Sequence, residues 1–381
     1  MLAVAMVVVA PPGALGAPSP SSHPQIAVGG FPTGIALDPR TDTIYVGNGT
    51  TGTLSVIDGR SCNAGNVRGC KRRVAAATAG LDPIGIAIDS TTNTLYVANA
   101  SGTVAVVNGA RCNAGRTAGC RTRPALVRVG ESPQFLAVDT ADHTVYVANS
   151  ASNTISVIDA RTCNARVTSG CGHVRATIPL GPGPFAVAIA ERTHSIYVAD
   201  LLAPVVSVFD GRTCNASDVT GCKSKPATVR VGGFPGGIAI DTKTNTIYVT
   251  GQVSDDVSVI DGNTCNGRVH SGCRKPPVRV RAGAGARGIA INEKTDTIYV
   301  ANTASGNVSV IDGRTCNAGV HTGCGRRAAV APVGLSPRRL VVDEVTNTVY
   351  VTNAGSDTVT MLDGRTCNGR THTGCRSERI A

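Results

Sequence analysis

The sequence predicts an all-β protein folded as a seven-bladed β-propeller of four-stranded antiparallel blades, and three observations predict it. All seven tyrosines stand in one tripeptide, aliphatic-Tyr-Val, at positions 45, 96, 146, 197, 248, 299 and 350, a step of 50 or 51 residues. A period that regular marks a repeat whose unit cannot bury its own apolar face and must stack on its neighbours. All 14 cysteines fall into seven pairs with seven residues between partners. The composition has 45 Gly, no Trp and many Val, Ile and Thr, and nowhere sustains a 3.6-residue apolar period, so helices should be scarce.

The repetition runs from about residue 24 to the end, so 24–381 is read as one domain despite a length of 381 residues. Ahead of it, Leu2 to Ala10 is an apolar run, and Ala14-Leu15-Gly16 supplies small residues at the spacing of a cleavage site. Residues 1–17 are therefore expected to be a signal peptide or an apolar tail; no Lys or Arg precedes Arg40 to give the usual basic start. Nine apolar residues are too few to span a bilayer, and no transmembrane helix is expected in the mature chain.

The fifth unit shows the elements in order. Strands are expected at 236–241, 246–250, 257–261 and 277–281, each a short β-rich run bounded by polar turn residues. The first two are apolar at nearly every position, which suits strands covered on both faces. Between the third and fourth lies the cysteine loop. Its partners are Cys62/Cys70, Cys112/Cys120, Cys163/Cys171, Cys214/Cys222, Cys265/Cys273, Cys316/Cys324 and Cys367/Cys375. A bridge within each repeat is preferred over zinc, because a repeat offers two thiols where a closed site needs four ligands. The bridges are expected at the periphery, and they imply an oxidising compartment. In the last unit the fourth strand is missing, while Gln25-Ile-Ala-Val-Gly-Gly-Phe-Pro32 reads like Val229-Arg-Val-Gly-Gly-Phe-Pro235. Residues 25–28 should pair with 358–362 and close the ring.

The second-strand texts IYVANTAS, VYVTNAGS and LYVANASG, with the VSVIDG that follows, resemble the YVTN-repeat β-propeller family (YncE-type) over essentially the whole chain. The resemblance implies the propeller. For function it implies only a range: cell-surface proteins, nucleic-acid binders, and relatives of propeller lyases, lactonases and quinoprotein subunits. The cysteine loop is an addition to that family's plain pattern.

Propeller geometry puts the cysteine loops and the turns between first and second strands on one face. Those loops hold 25 of the 36 Lys and Arg but only Asp218 and Glu378 as acids, within a net charge of +11. This face suits a polyanion, although Asp58, Asp159, Asp210, Asp261, Asp312 and Asp363, which end six of the seven third strands, should neutralise part of it. It has no Phe, Tyr or Trp for base stacking. Asp38, Asp89, Asp139, Asp241 and Asp343 read as turn caps in preference to a metal ring. Asn48, Asn99, Asn149, Asn302 and Asn353 read as turn starters tolerant of left-handed backbone. His270, His321 and His372 stand a blade apart, beyond the reach of one ion.

Departures from the repeat point to a site. The first strand begins with Thr33, Ile84, Gln134, Phe185, Gly236, Arg287 and Arg338 near the mouth of the axial channel, and the next position is Gly or Ala except at Phe135 and Arg339. Blade four alone has Ala190 for the Asp and Asp200-Leu-Leu-Ala-Pro204 for the Asn-rich loop. Gln134, Phe135, Phe185, Arg287, Arg338 and Arg339 are therefore the expected lining of a ligand pocket. No catalytic constellation, metal site or cofactor motif is evident. The expectation is a secreted or cell-surface binding or scaffold module, monomeric, whose partner is a protein, a glycan or a small anionic ligand. The alternatives are a lactonase- or lyase-like enzyme working in the funnel and a DNA- or polyanion-binding protein using the cysteine face.

Overall fold

The computed structural model describes residues 23–375; the expected leader at 1–17 lies outside them. Seven four-stranded antiparallel sheets form the ring, with three short 3-10 turns as the helical content. In the fifth blade the strands are Pro235–Asp241, Thr246–Gly251, Asp256–Asp261 and Val278–Arg281, within a residue or two of expectation. The innermost strands of neighbouring blades touch around the axis, which explains the small second position. A Cβ on Gly85 would fall on the carbonyl oxygen of Gln134 and 2.8 Å from Cα of Phe135.

The ring closes as the sequence implies. Gln25–Ala27 pairs with the third strand of the last blade, with Gln25 opposite Thr360 and Ala27 opposite Thr358. Ile26, 1% exposed, joins Val359, Met361 and Tyr350 in the core between blades seven and one.

The recurrent tyrosine carries a contact that the repeat alone does not reveal. Each ring is buried between blades, and its hydroxyl donates to the carbonyl of the first cysteine of the following blade. Tyr45 reaches Cys112 at 2.6 Å, Tyr197 reaches Cys265 at 2.7 Å, and Tyr350 crosses the closure to Cys62 at 2.7 Å. One turn away, the hydroxyl that opens the second strand accepts from the loop amide two residues past that cysteine, as in Ala165 N–H to Thr94 Oγ1 at 2.8 Å. Burial holds all seven phenols above their ordinary pKa.

Each loop closes on its own disulfide, as expected: Cys62–Cys70, Cys112–Cys120, Cys163–Cys171, Cys214–Cys222, Cys265–Cys273, Cys316–Cys324 and Cys367–Cys375. No free cysteine remains among the described residues. The expectation of peripheral staples needs correction. The first cysteine of every pair is buried against the preceding blade. Its partner is buried as well at Cys120, Cys171, Cys222, Cys273, Cys324 and Cys375; only Cys70 is half-buried. The physical reason is that each loop folds inward, so that its sulfurs extend the apolar core between blades instead of facing water. Cys163 and Cys171 join Tyr96 and Val106 of the preceding blade, and Cys112 and Cys120 join Tyr45 and Leu54. Even Cys70 lies 3.9 Å from the Met361 sulfur across the closure. The loop is thus part of the seam between blades.

Its shape is templated by the Asn after the first cysteine. Asn266, for example, donates to Gly262 O and accepts from the amides of Arg268 and Val269. Seven disulfides suggest an oxidising environment. No helix among the described residues is long and apolar enough to cross a membrane.

Two outcomes test this seam. Tyr197→Phe leaves the Cys265 carbonyl buried without its donor and should cost about 1–3 kcal/mol, read as a lower midpoint in denaturant; an unchanged midpoint would show the bond to be energetically idle. Deletion through Gly30 opens a sheet edge and exposes the core around Ile26. Such a protein should melt less cooperatively and aggregate, and melting identical to the full chain would show that closure does not depend on this strand.

Candidate functional site

The predicted turn caps hold. Asp38 accepts from the Arg40 amide and the Thr41 hydroxyl, and Asp343 accepts likewise from Val345 and Thr346. The Asn residues after the second strand start their turns, as expected: the Asn48 carbonyl accepts from the Thr51 and Gly52 amides, and those of Asn99 and Asn302 accept from Gly102 and Gly306. The left-handed residue of these turns is not the Asn but comes later, as at Gly52, Gly102, Asn153 and Gly306. The Asn48 side chain is also buried and donates across its blade to Thr53 and Ser55. On the cysteine face, aspartates at the ends of third strands do pair with the loop arginines, including Asp159 with Arg161 and Asp312 with Arg314. His270, His321 and His372 stand exposed on separate loops. The cysteines, bonded in pairs, have no thiolate to offer a metal, and no three His, Cys, Asp or Glu side chains gather as a metal site among the described residues.

The channel mouth is where the departures meet. Phe135 from blade three and Phe185 from blade four pack edge to face at 5.3 Å. Blade four's irregular loop adds Leu201 to their apolar cluster, which also takes in Ile238. Arg339, from blade seven, reaches across the axis to lie 3.8 Å over the Phe135 ring and 5.4 Å from Phe185. There it donates through Nη1 to the carbonyl of Arg287 at 3.3 Å, close against Gly237. The two exceptions at the small position are thus a matched pair that fills the channel from opposite sides, and Arg339 is a plug more than a wall. Arg287 lies 5.6 Å over Phe185. Gln134 turns back to bond Ser132 in its own loop and adds no donor to the cluster.

Sequence reasoning missed Phe31. Its ring lies 4.4 Å from the Arg338 guanidinium, in a left-handed backbone (φ 55°), and its amide donates to Asp357 at 2.7 Å. It is 41% exposed. The same left-handed position precedes the first strand of every blade, at Asp82, Ser132, Gly183, Phe234, Gly285 and Ser336, so it belongs to the repeat; what sets Phe31 apart is its contact with Arg338. The signal was present in the Gly-Phe-Pro that follows the closing strand, which delivers this ring to the mouth.

Electrostatically the cluster is unbalanced. Burial pushes the Arg287 guanidinium down to about 10, with Arg338 adding repulsion. Burial alone lowers Arg338, and burial with repulsion from Arg287 and Arg338 drives Arg339 well below its ordinary range. Arginine keeps its proton in proteins, so these shifts express positive charge without a counter-charge. The geometry agrees: Nε and Nη2 of Arg339 and Nε of Arg338 are buried without a hydrogen-bond partner. Nε and Nη2 form the lateral edge of a guanidinium, the fork that takes both oxygens of a carboxylate or phosphate.

A seven-bladed ring with a charged, aromatic-walled axial mouth defines the class of the molecule. The family described as "Lactonase, 7-bladed beta-propeller" matches residues 112–322, more than half of the chain, and the chain belongs to that family. It is similar to the "Uncharacterized protein YncE" of Escherichia coli O157:H7, 37% identical over 79 residues. That match covers 20% of this chain and 22% of the relative, so the chain spans about a fifth of the length of the curated relative it matches. Among solved structures it resembles Kuenenia stuttgartiensis hydrazine synthase, with a TM-score of 0.67 over 92% of this chain and 98% of that one. At 17% identity this likeness shows the fold alone.

Blade four also buries an acid of its own. Asp200 stands where five other blades have Asn; it accepts from Ser207 at 2.7 Å, while its Oδ1 has no partner. Burial pushes it up to about 6, against a smaller opposing effect of the Ser207 bond. A raised carboxyl contributes stability below its unfolded pKa near 4 and loses it as pH rises through 6. Asp200→Asn should therefore stabilise the fold at pH 8, by on the order of 2–3 kcal/mol read as a higher melting temperature, and change it little at pH 4. An equal effect at both pH values would contradict a buried, titrating carboxyl.

Proposed function

We propose that this chain is an exported, disulfide-stapled propeller that binds a small organic anion, a carboxylate or phosphate, at the channel mouth without transforming it. The observation that carries this reading is the convergence of Arg287, Arg338 and Arg339, with buried guanidinium nitrogens of Arg338 and Arg339 unpartnered. A buried cation without a partner costs several kcal/mol and is retained only where something offsets it. The aromatic rings hold the guanidiniums in place by cation–π contact and give the ligand's carbon skeleton an apolar wall. Export is supported by the disulfides and by the apolar run at residues 2–10. The matched family's description brings lactone hydrolysis as the rival reading.

Titration calorimetry with succinate and with inorganic phosphate tests the proposal. At least one probe should bind the full protein, and Arg287→Gln/Arg338→Gln should weaken it tenfold or more. Arg339→Met should abolish binding while raising stability by about 1–2 kcal/mol, since it removes an unpaired buried charge and keeps the volume. Absence of binding by either probe, or binding that survives these changes but falls when Lys71, Arg72 and Arg73 are neutralised, would overturn it. Turnover of a carboxylate-bearing lactone that is lost with Arg338→Gln would favour the enzyme.

A further inference from the structure

The outer groove between blades five and six is a second concentration of guanidinium groups, remote from the axis. It encloses a cavity of about 780 Å³. One wall is the outermost strand of blade five, with Arg279 and Arg281; the other is the segment after the second cysteine of blade six, with Arg326 and Arg327. The floor is polar and neutral: Ser305, Asn307 and Ser309 from blade six. All four arginines are exposed. Arg279 pairs with Asp256 at 3.3 Å, whereas Arg281, Arg326 and Arg327 meet no carboxylate among the described residues. The groove between blades seven and one repeats the neutral floor and one of the two basic walls, its other wall being Ala27, Val28 and Gly29. There a cavity of about 640 Å³ has Asn48, Thr51, Thr53 and Ser55 along its floor and Lys71, Arg72 and Arg73 at its wall.

We propose that the groove between blades five and six binds a linear acidic glycan, whose sulfate or phosphate groups pair with the arginines of the two walls while sugar hydroxyls meet the floor. Three features select this class. The volume is that of an oligosaccharide-sized ligand. Arginine on two facing walls suits anionic groups repeated along a chain, since each takes an oxyanion in fork geometry. Ser and Asn on the floor exchange hydrogen bonds with hydroxyls in either direction. Nucleic acid is the poorer fit, because no Phe, Tyr or Trp lines the groove and single strands are held by stacking on such rings.

Affinity measurements at two salt concentrations provide the test, with a sulfated hexasaccharide, a phosphate-bearing hexasaccharide of equal charge and an oligothymidylate as probes. At least one hexasaccharide should bind more tightly than the oligothymidylate. Arg281→Gln/Arg326→Gln/Arg327→Gln should weaken it tenfold or more and flatten its salt dependence by about one unit of slope per lost contact. Comparison of the two hexasaccharides identifies sulfate or phosphate as the group recognised. The triple variant should bind the channel-mouth probes unchanged, which separates this site from the other. Absence of hexasaccharide binding, unaltered binding by the variant, or tighter binding of the oligothymidylate would each overturn the proposal.

Discussion

The hydrogen bond from each tyrosine to the first cysteine carbonyl of the next blade is the contact on which the ring depends. Propeller blades meet face to face through apolar side chains, and such packing is non-directional: it favours contact but does not fix rotation or slide. Each phenol buried between two blades donates to a carbonyl of the next blade, and the bond favours a single register of each blade on its successor. That acceptor is a backbone carbonyl in the cysteine loop. The loop must therefore be rigid, and the disulfide with its adjoining Asn makes it so.

This dependence joins features that look separate in the sequence. The tyrosine period and the cysteine period are equal because the two residues form one joint, supplied by successive blades. The joint lies on the face of the cysteine loops, and the channel mouth opens on the other. Stiffness imposed at one face lets the opposite one carry uncompensated charge. Arg339, buried across the axis, needs a scaffold that cannot relax around it.

The fold was legible because repetition multiplies a weak signal. One IYVT segment is an ordinary strand, but seven at a fixed spacing define blades, and a missing last strand with its match at residues 25–28 defines closure. The pairing of the cysteines and the Asp caps were legible for the same reason, since each is a local role repeated in kind. What could not be read were roles set by neighbouring blades. The cysteines look peripheral, yet Cys112 with Cys120 and Cys163 with Cys171 complete the apolar seam against the blade before them. At the mouth, comparing repeats singled out Phe135, Phe185, Arg287, Arg338 and Arg339. Their arrangement escaped it: that Phe135 and Arg339 stack from opposite sides, or that Phe31 crosses the closure to Arg338, follows from ring geometry that no single repeat contains.

The central claim is that unbalanced positive charge at the axial mouth is a site for an anion. Anomalous diffraction from crystals soaked in bromide tests it most directly, because the ion reports where the protein's field and free donors coincide without assuming a natural ligand. The account predicts a bromide at the mouth, within hydrogen-bond distance of Arg338 Nε or the Arg339 fork. A mouth without bromide, in crystals whose cysteine-loop arginines bind it well, would contradict the account.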